Sequence, residues 1–189
     1  LKILRERQEE NRQRRHRLVT RLGELFSTAA YFAAGQSITP KGSSPVNAMT
    51  QAAEYLVKNT FTKLKLIEHQ SASVRAEINA VLAATDVDEL GFDLEAGQGN
   101  QQAVDDVLQY LELMQSTNQQ VVLHNMIDER YGRLPYGWDE WETVLIVARL
   151  LKRGDLSLVV EGATIPANNA GDILLSNSRW RKALLMKRK

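Results

Sequence analysis

Two glycines and a proline fall within eight residues at Tyr131-Gly132-Arg133-Leu134-Pro135-Tyr136-Gly137-Trp138, after 130 residues whose apolar positions recur mainly with helical spacing. Glycine and proline interrupt helical hydrogen bonding, so no unbroken helical array runs through this point. The pattern after it differs. Asp139 stands as an N-cap, Glu140 and Glu142 favour the positive end of a helix dipole, and Arg149, Lys152 and Arg153 the negative end. These signals predict a helix through Lys152 with Trp141, Val144, Leu145, Ala148 and Leu151 on its buried face and Gly154 as its left-handed stop. Leu156 to Val160 then reads as a strand, Glu161-Gly162 as a turn and Ala163 to Ile165 as a return strand. Asn168 to Asn177 reads as a short helix and Trp180 to Lys187 as a closing basic strand. Pro135, Tyr136, Gly137 and Trp138, with Trp141, are expected to shape the turn and close a core.

Upstream, Leu18, Leu22, Leu25, Phe26, Ala29, Phe32 and Ala33 make one helical stripe, preceded by a polar, exposed extension from Arg5 to Arg17. Residues 35–44 read as a loop, and Ser44-Pro45 restarts a helix with Pro at its first position. Ser71 or Ser73 caps a third helix with Val74, Ile78, Val81 and Leu82 inside. Gly91 to Asn100 is a connection, and Asn100 caps a fourth helix lined by Val104, Val107, Leu108, Leu111 and Met114. Ser116 and Gln119 have the spacing of a capping box for a fifth, through Val122, Met126 and Ile127. The expected fold is mainly α: an irregular helical bundle over residues 1–130, then a small winged-helix-like α+β subdomain over residues 131–189.

The chemistry of the chain is sparse. With no cysteine it has neither a disulfide framework nor thiolate metal ligands, which suits a reducing cytoplasm. His16, His69 and His124 are far apart, and no second histidine follows at helical spacing. Asp105-Asp106 are adjacent on a helix and therefore point apart, and Asp86 with Asp88 reads as an acidic surface pair. No G-x-x-x-x-G-K-[ST] phosphate loop occurs: Lys41-Gly42-Ser43-Ser44 has the wrong order, and Gly97-Gln98-Gly99 lacks a third glycine. No apolar run reaches the roughly 20 residues that span a bilayer. The chain opens on Leu1 without an initiator Met and reads as a piece of a longer polypeptide.

Charge is segregated. Residues 1–21 hold eight Lys/Arg against three Glu, residues 175–189 hold six Lys/Arg and no acid, and eight acids but no Lys or Arg lie between Asp86 and Glu112. Such a layout is that of solvated charged faces and a solvated basic tail, of docking between parts of a large protein, or of attraction of nucleic acid to the ends. In the last case Arg179, Arg181, Lys182, Lys187 and Arg188 are the candidate DNA contacts, through phosphates rather than base edges. Asn168 to Asn177 is the candidate recognition helix, although it offers Asn168, Asn169 and Asp172 and no basic side chain.

The Pro135-Tyr136-Gly137-Trp138 block, the apolar helix Val144 to Leu151, Gly154-Asp155-Leu156 and the Glu161-Gly162 turn resemble the region following the ATPase core in BrxC/PglY, the large P-loop proteins of bacteriophage-exclusion (BREX) systems. Upstream, Tyr31-Phe32-Ala33-Ala34-Gly35 and the stretch from Leu56-Val57 to Lys63-Leu64 resemble the helical segment preceding that block. The resemblance implies a cytoplasmic anti-phage ATPase that uses ATP and Mg and works with a DNA methyltransferase, a PglZ-type protein and other BREX proteins. It implies that the nucleotide site and any self-association of the ATPase lie outside these residues, which serve as a non-catalytic accessory region for assembly or DNA engagement.

Overall fold

Arg7, Arg12 and Arg14 pair with Glu9 and Glu10 at spacings of three and four along the first helix, α1 (Lys2–Thr28). Ion pairs of this spacing support a helix that has little to bury. The computed structural model describes residues 2–33, 35–41, 44–67, 73–84 and 98–188, and the chain divides into two compact units, residues 1–60 and 61–189. In the first unit α1 buries no residue. The helix stops at Thr28, short of the expected Ala33, where the Ser27 and Thr28 hydroxyls donate back to the Glu24 carbonyl. Tyr31–Ala33 (β1) then pairs antiparallel with Gln36–Ile38 (β2), so the end of the predicted helical stripe is strand. Gly35 at φ 75° permits the reversal, and Tyr31 and Phe32 suit a pleated surface. Helix α2 (Pro45–Thr60) begins at the proline as predicted. Among the described residues of this unit, Ala48 alone is buried.

The second unit holds the core. Helix α3 (Val74–Ala83) follows Ser73 and buries Ile78, Val81 and Leu82. Helix α4 (Gln98–Ser116) starts before Asn100, which lies buried inside its first turn rather than capping it. The predicted fifth helix does not open at Ser116. Asn118 takes φ 54°, Gln119 N–H returns to the Met114 carbonyl at 2.8 Å, and Ser116 Oγ donates to the Leu113 carbonyl, so these residues end α4. A two-residue strand, β3 (Val121–Val122), comes next. One turn, α5 (Leu123–Asn125), then continues as a π-helical stretch over Met126–Tyr131.

Past the corner the local signals are followed closely. Helix α6 (Glu140–Arg153) is capped by Asp139, whose carboxylate accepts from Trp141 N–H at 2.8 Å and Glu142 N–H at 3.4 Å, and ends at Gly154 with φ 81°. Strands β4 (Leu156–Val160) and β5 (Ala163–Ile165) form the expected hairpin. Residues 168–177 are not one helix: a 3-10 turn at Ala167–Asn169 leads into α7 (Gly171–Leu174), and a second 3-10 helix spans Asn177–Lys182. Trp180 lies in that helix, where its indole N–H donates to the Leu174 carbonyl, and the last strand, β6, starts only at Ala183 and runs to Lys187.

The antiparallel sheet has the order β3-β6-β4-β5. Val121, Leu156, Leu158, Ala183 and Leu185 face inward with α6 in one core that also takes residues of α3 and α4. The change of pattern at Tyr131 therefore falls inside the second unit. No described helix is long and apolar enough to cross a membrane. Ser71, His69, Asp86, Asp88, Lys189 and most of the Gly91 to Asn100 connection lie outside the described residues.

Candidate functional site

Arg133 begins a tight turn whose carbonyl accepts from Tyr136 and Gly137 N–H at 2.9 and 3.0 Å, and Trp138 N–H closes onto the Tyr131 carbonyl at 2.8 Å. Pro135 and Leu134 stay exposed, while Tyr131, Tyr136 and Trp138 turn inward and are buried. The Tyr131 and Trp138 rings stack with centroids 4.5 Å apart, and Tyr136 meets both edge-on. Gly137 has φ 66°, and a Cβ there would run into the Phe61 ring. The preceding segment is tied in twice more: Lys63 N–H donates to the Pro135 carbonyl, and the Trp138 indole N–H to the Lys63 carbonyl, each at 3.0 Å.

Asp106 of α4 gathers the polar ends of this corner. It accepts from Lys63 Nζ and the Tyr136 hydroxyl, each at 2.7 Å. Arg130 Nη2 takes the Tyr136 oxygen as acceptor at 3.1 Å, and its guanidinium lies 4.1 Å from the Tyr110 ring centroid. Burial alone would raise the Asp106 carboxyl, but the hydrogen bonds from Lys63 and Tyr136 and the nearby cations hold it below the usual carboxylate range. The hydrogen bond to Asp106 raises Lys63 in turn, and burial pushes the Tyr131 and Tyr136 hydroxyls up. The tyrosines are therefore neutral donors and the Asp106–Lys63 pair is charged. This is a cross-link, and sequence reasoning missed it. The signal was half present, since of the adjacent pair Asp105 is exposed and met by Gln101, while Asp106 shares the α4 face of Tyr110.

The first helix of the pair around this corner is α5 with its π-helical continuation, and the second is α6. In helix-turn-helix proteins that second member reads DNA. Residues 168–177, the candidate for that role, do not form one helix: α7 and its flanking 3-10 turns fold between the hairpin and β6. Helix α6 has no open face: Glu142 to Ala148, Leu150 and Leu151 are buried, and Arg153 is its one exposed residue. Helix α3 lies along it, with an Arg149–Glu77 ion pair and a bond from Lys152 Nζ to the Leu82 carbonyl at 3.3 Å. Trp141 is half-buried, edge-on to Trp180 and under the Arg75 guanidinium.

The five basic candidates lie on the closing 3-10 helix and on or just past β6. Arg179 and Arg181 are exposed and, among the described residues, make no ion pair. Lys182 pairs with Glu161 at the turn of the β4–β5 hairpin, Lys187 with Glu112 of α4, and Arg188 Nε donates to Ser157 Oγ. Among the described residues no three His, Cys, Asp or Glu side chains converge to hold a metal ion. His16 is exposed on α1, and His124 Nδ1 stands 3.4 Å from Asp128.

A helical pair joined by a bound corner, its second member running into an antiparallel sheet, defines a winged helix-turn-helix domain, here with the second helix enclosed. Residues 63–189 match the family described as BREX ATP-binding protein BrxC winged helix-turn-helix domain, and residues 1–56 the BREX ATP-binding protein BrxC 4th domain with six-stranded beta sheet. The chain belongs to the BrxC family and forms part of a BREX defence protein. The described residues of the first unit contribute two strands, β1 and β2, against the six in the latter description. No solved structure matches the chain significantly.

Proposed function

We propose that this chain is a non-catalytic accessory region of a cytoplasmic BREX ATPase, and that its winged helix serves assembly with other BREX proteins. The enclosure of α6 carries this reading: a helix buried on nearly every side has nothing to insert into a major groove. Its N-terminal end supports it further, since Asp139, Glu140 and the nearby Asp128 would repel phosphates. ATP and Mg are bound by the parent protein at a phosphate loop that these residues lack. Purified chain mixed with each purified BREX component, including the methyltransferase and the PglZ-type protein, should co-migrate with at least one in sizing chromatography. Failure with all of them, together with tight binding to duplex DNA, would overturn the assembly role.

The second reading, sequence-independent DNA binding by the basic end, is favoured by the exposure of Arg179 and Arg181. Its mark is an affinity that falls steeply with salt and is lost on reversing the charges of Arg179, Arg181 and Lys182 with the fold intact.

A further inference from the structure

A groove of about 350 Å³ is lined by the end of α4, strand β3, the π-helical stretch and the turn at Leu134-Pro135. One of its walls is a sheet edge. Strand β3 pairs with β6 on one side and with no described strand on the other. An open edge leaves backbone N–H and C=O groups without strand partners, and an extended chain can take them up. Two residues of strand offer few such bonds, but the exposed side-chain amides of Gln119, Gln120 and Asn125 line the groove beside them. Leu134, 61% exposed, and the exposed Pro135 add an apolar lip.

The same groove holds a cation in a fixed place. The Arg130 guanidinium lies against the rings of Tyr110, Tyr131 and Tyr136, 4.1, 5.4 and 5.4 Å from their centroids, and its Nη2 is engaged with the Tyr136 oxygen. Its Nε is buried and meets no acceptor. Asp106, 3.9 Å away, already accepts from Lys63 and Tyr136, and 37% of the Arg130 side chain stays open. A planar guanidinium held against rings loses little freedom on taking a carboxylate, and its donors suit one bidentately. Glu129, exposed at the groove, disfavours a second acid. We propose that this groove binds an extended segment of a partner protein, which pairs with β3 and sets one carboxylate on Arg130. The proposal rests on the assembly role and names the chemistry of what is bound.

The test uses the 189-residue chain labelled with nitrogen-15 and two peptides blocked at both ends, Thr-Val-Glu-Val-Thr and its counterpart with Gln in place of Glu. At millimolar concentration the Glu peptide should move the amide signals of Val121 and Val122 and the Nε–H signal of Arg130, and the Gln peptide should bind about ten-fold more weakly. Unmoved signals, or equal affinity for the two peptides, overturn the proposal. Blocked glutamate alone reproducing the shifts at both places would mark a small-acid site and overturn it too. Leu134→Asp changes an exposed side chain and keeps the fold, so it separates the groove from the assembly role. A BREX component that co-migrates with the unaltered chain should be lost from this variant. Its retention overturns the groove and leaves the assembly role standing. If no component co-migrates with the unaltered chain, the assembly role fails and the two peptides alone decide the groove.

Discussion

Asp106 and Tyr136 lie 30 residues apart in the chain, and their side-chain oxygens meet at 2.7 Å. That bond joins the middle of α4 to the turn that opens the way to α6, and Lys63 completes it from a third segment. The corner is thereby held from outside the helix-turn-helix pair, by residues that no local pattern marks as belonging to it.

Asp106→Asn should cost about 1 kcal/mol, because Lys63, whose own side chain is half-exposed, loses a charged acceptor and Arg130 a nearby anion. Thermal melting would show it as a fall of several degrees. The pH dependence has a defined sign. The folded Asp106 pKa lies below its unfolded value, so its contribution is present above roughly pH 4 and is lost as pH falls through the folded value. The unaltered protein should therefore lose more stability than Asp106→Asn as the pH falls below about 4.

Gly137 and Gly154 both adopt left-handed backbone, but only Gly137 faces a ring at the place of a Cβ, whereas Gly154 has nothing within 4 Å. Gly154→Ala should cost about 1 kcal/mol of backbone strain. Gly137→Ala should cost clearly more, since Phe61 must also move, and Gly137→Ala/Phe61→Leu should recover part of the difference. Equal losses for the two alanine variants in urea unfolding would discard this account.

Asp139→Ala removes the acceptor for two N–H groups at the start of α6 and should destabilise by about 1 kcal/mol. Asp139→Asn should retain most of the cap. Denaturant midpoints of the two variants measure the difference.

The two units should differ in protection. Among the described residues the first buries one side chain, Ala48, whereas the second holds the main core. Amide exchange should be fast along α1 and slowest in α6, β4 and β6, by several orders of magnitude. Comparable protection in α1 and α6 would contradict the burial.

Helix α6 was legible because cap, dipole charges, apolar face and glycine stop all lie within 16 residues of one another. The β4–β5 hairpin was legible for the same reason. The end of the first apolar stripe was misread because Ala29, Phe32 and Ala33 keep helical spacing while the hairpin turns on Gly35. Ser116 and Gln119 have the spacing of an N-terminal box, yet the left-handed Asn118 between them turns the chain out of α4. Residues 168–177 carry too little helical propensity for a single helix and take short turns set by tertiary packing. The coverage of α6 by α3 and the Asp106 cross-link are contacts between distant segments, and periodicity along a chain does not report them.

Because α6 is enclosed, its mid-helix side chains answer to volume and not to the bases of an operator. Replacing Ile146 or Val147 with another aliphatic of similar bulk should leave the domain folded, while a polar residue there should melt it. The helix at the centre of this wing-bearing module works as a keystone.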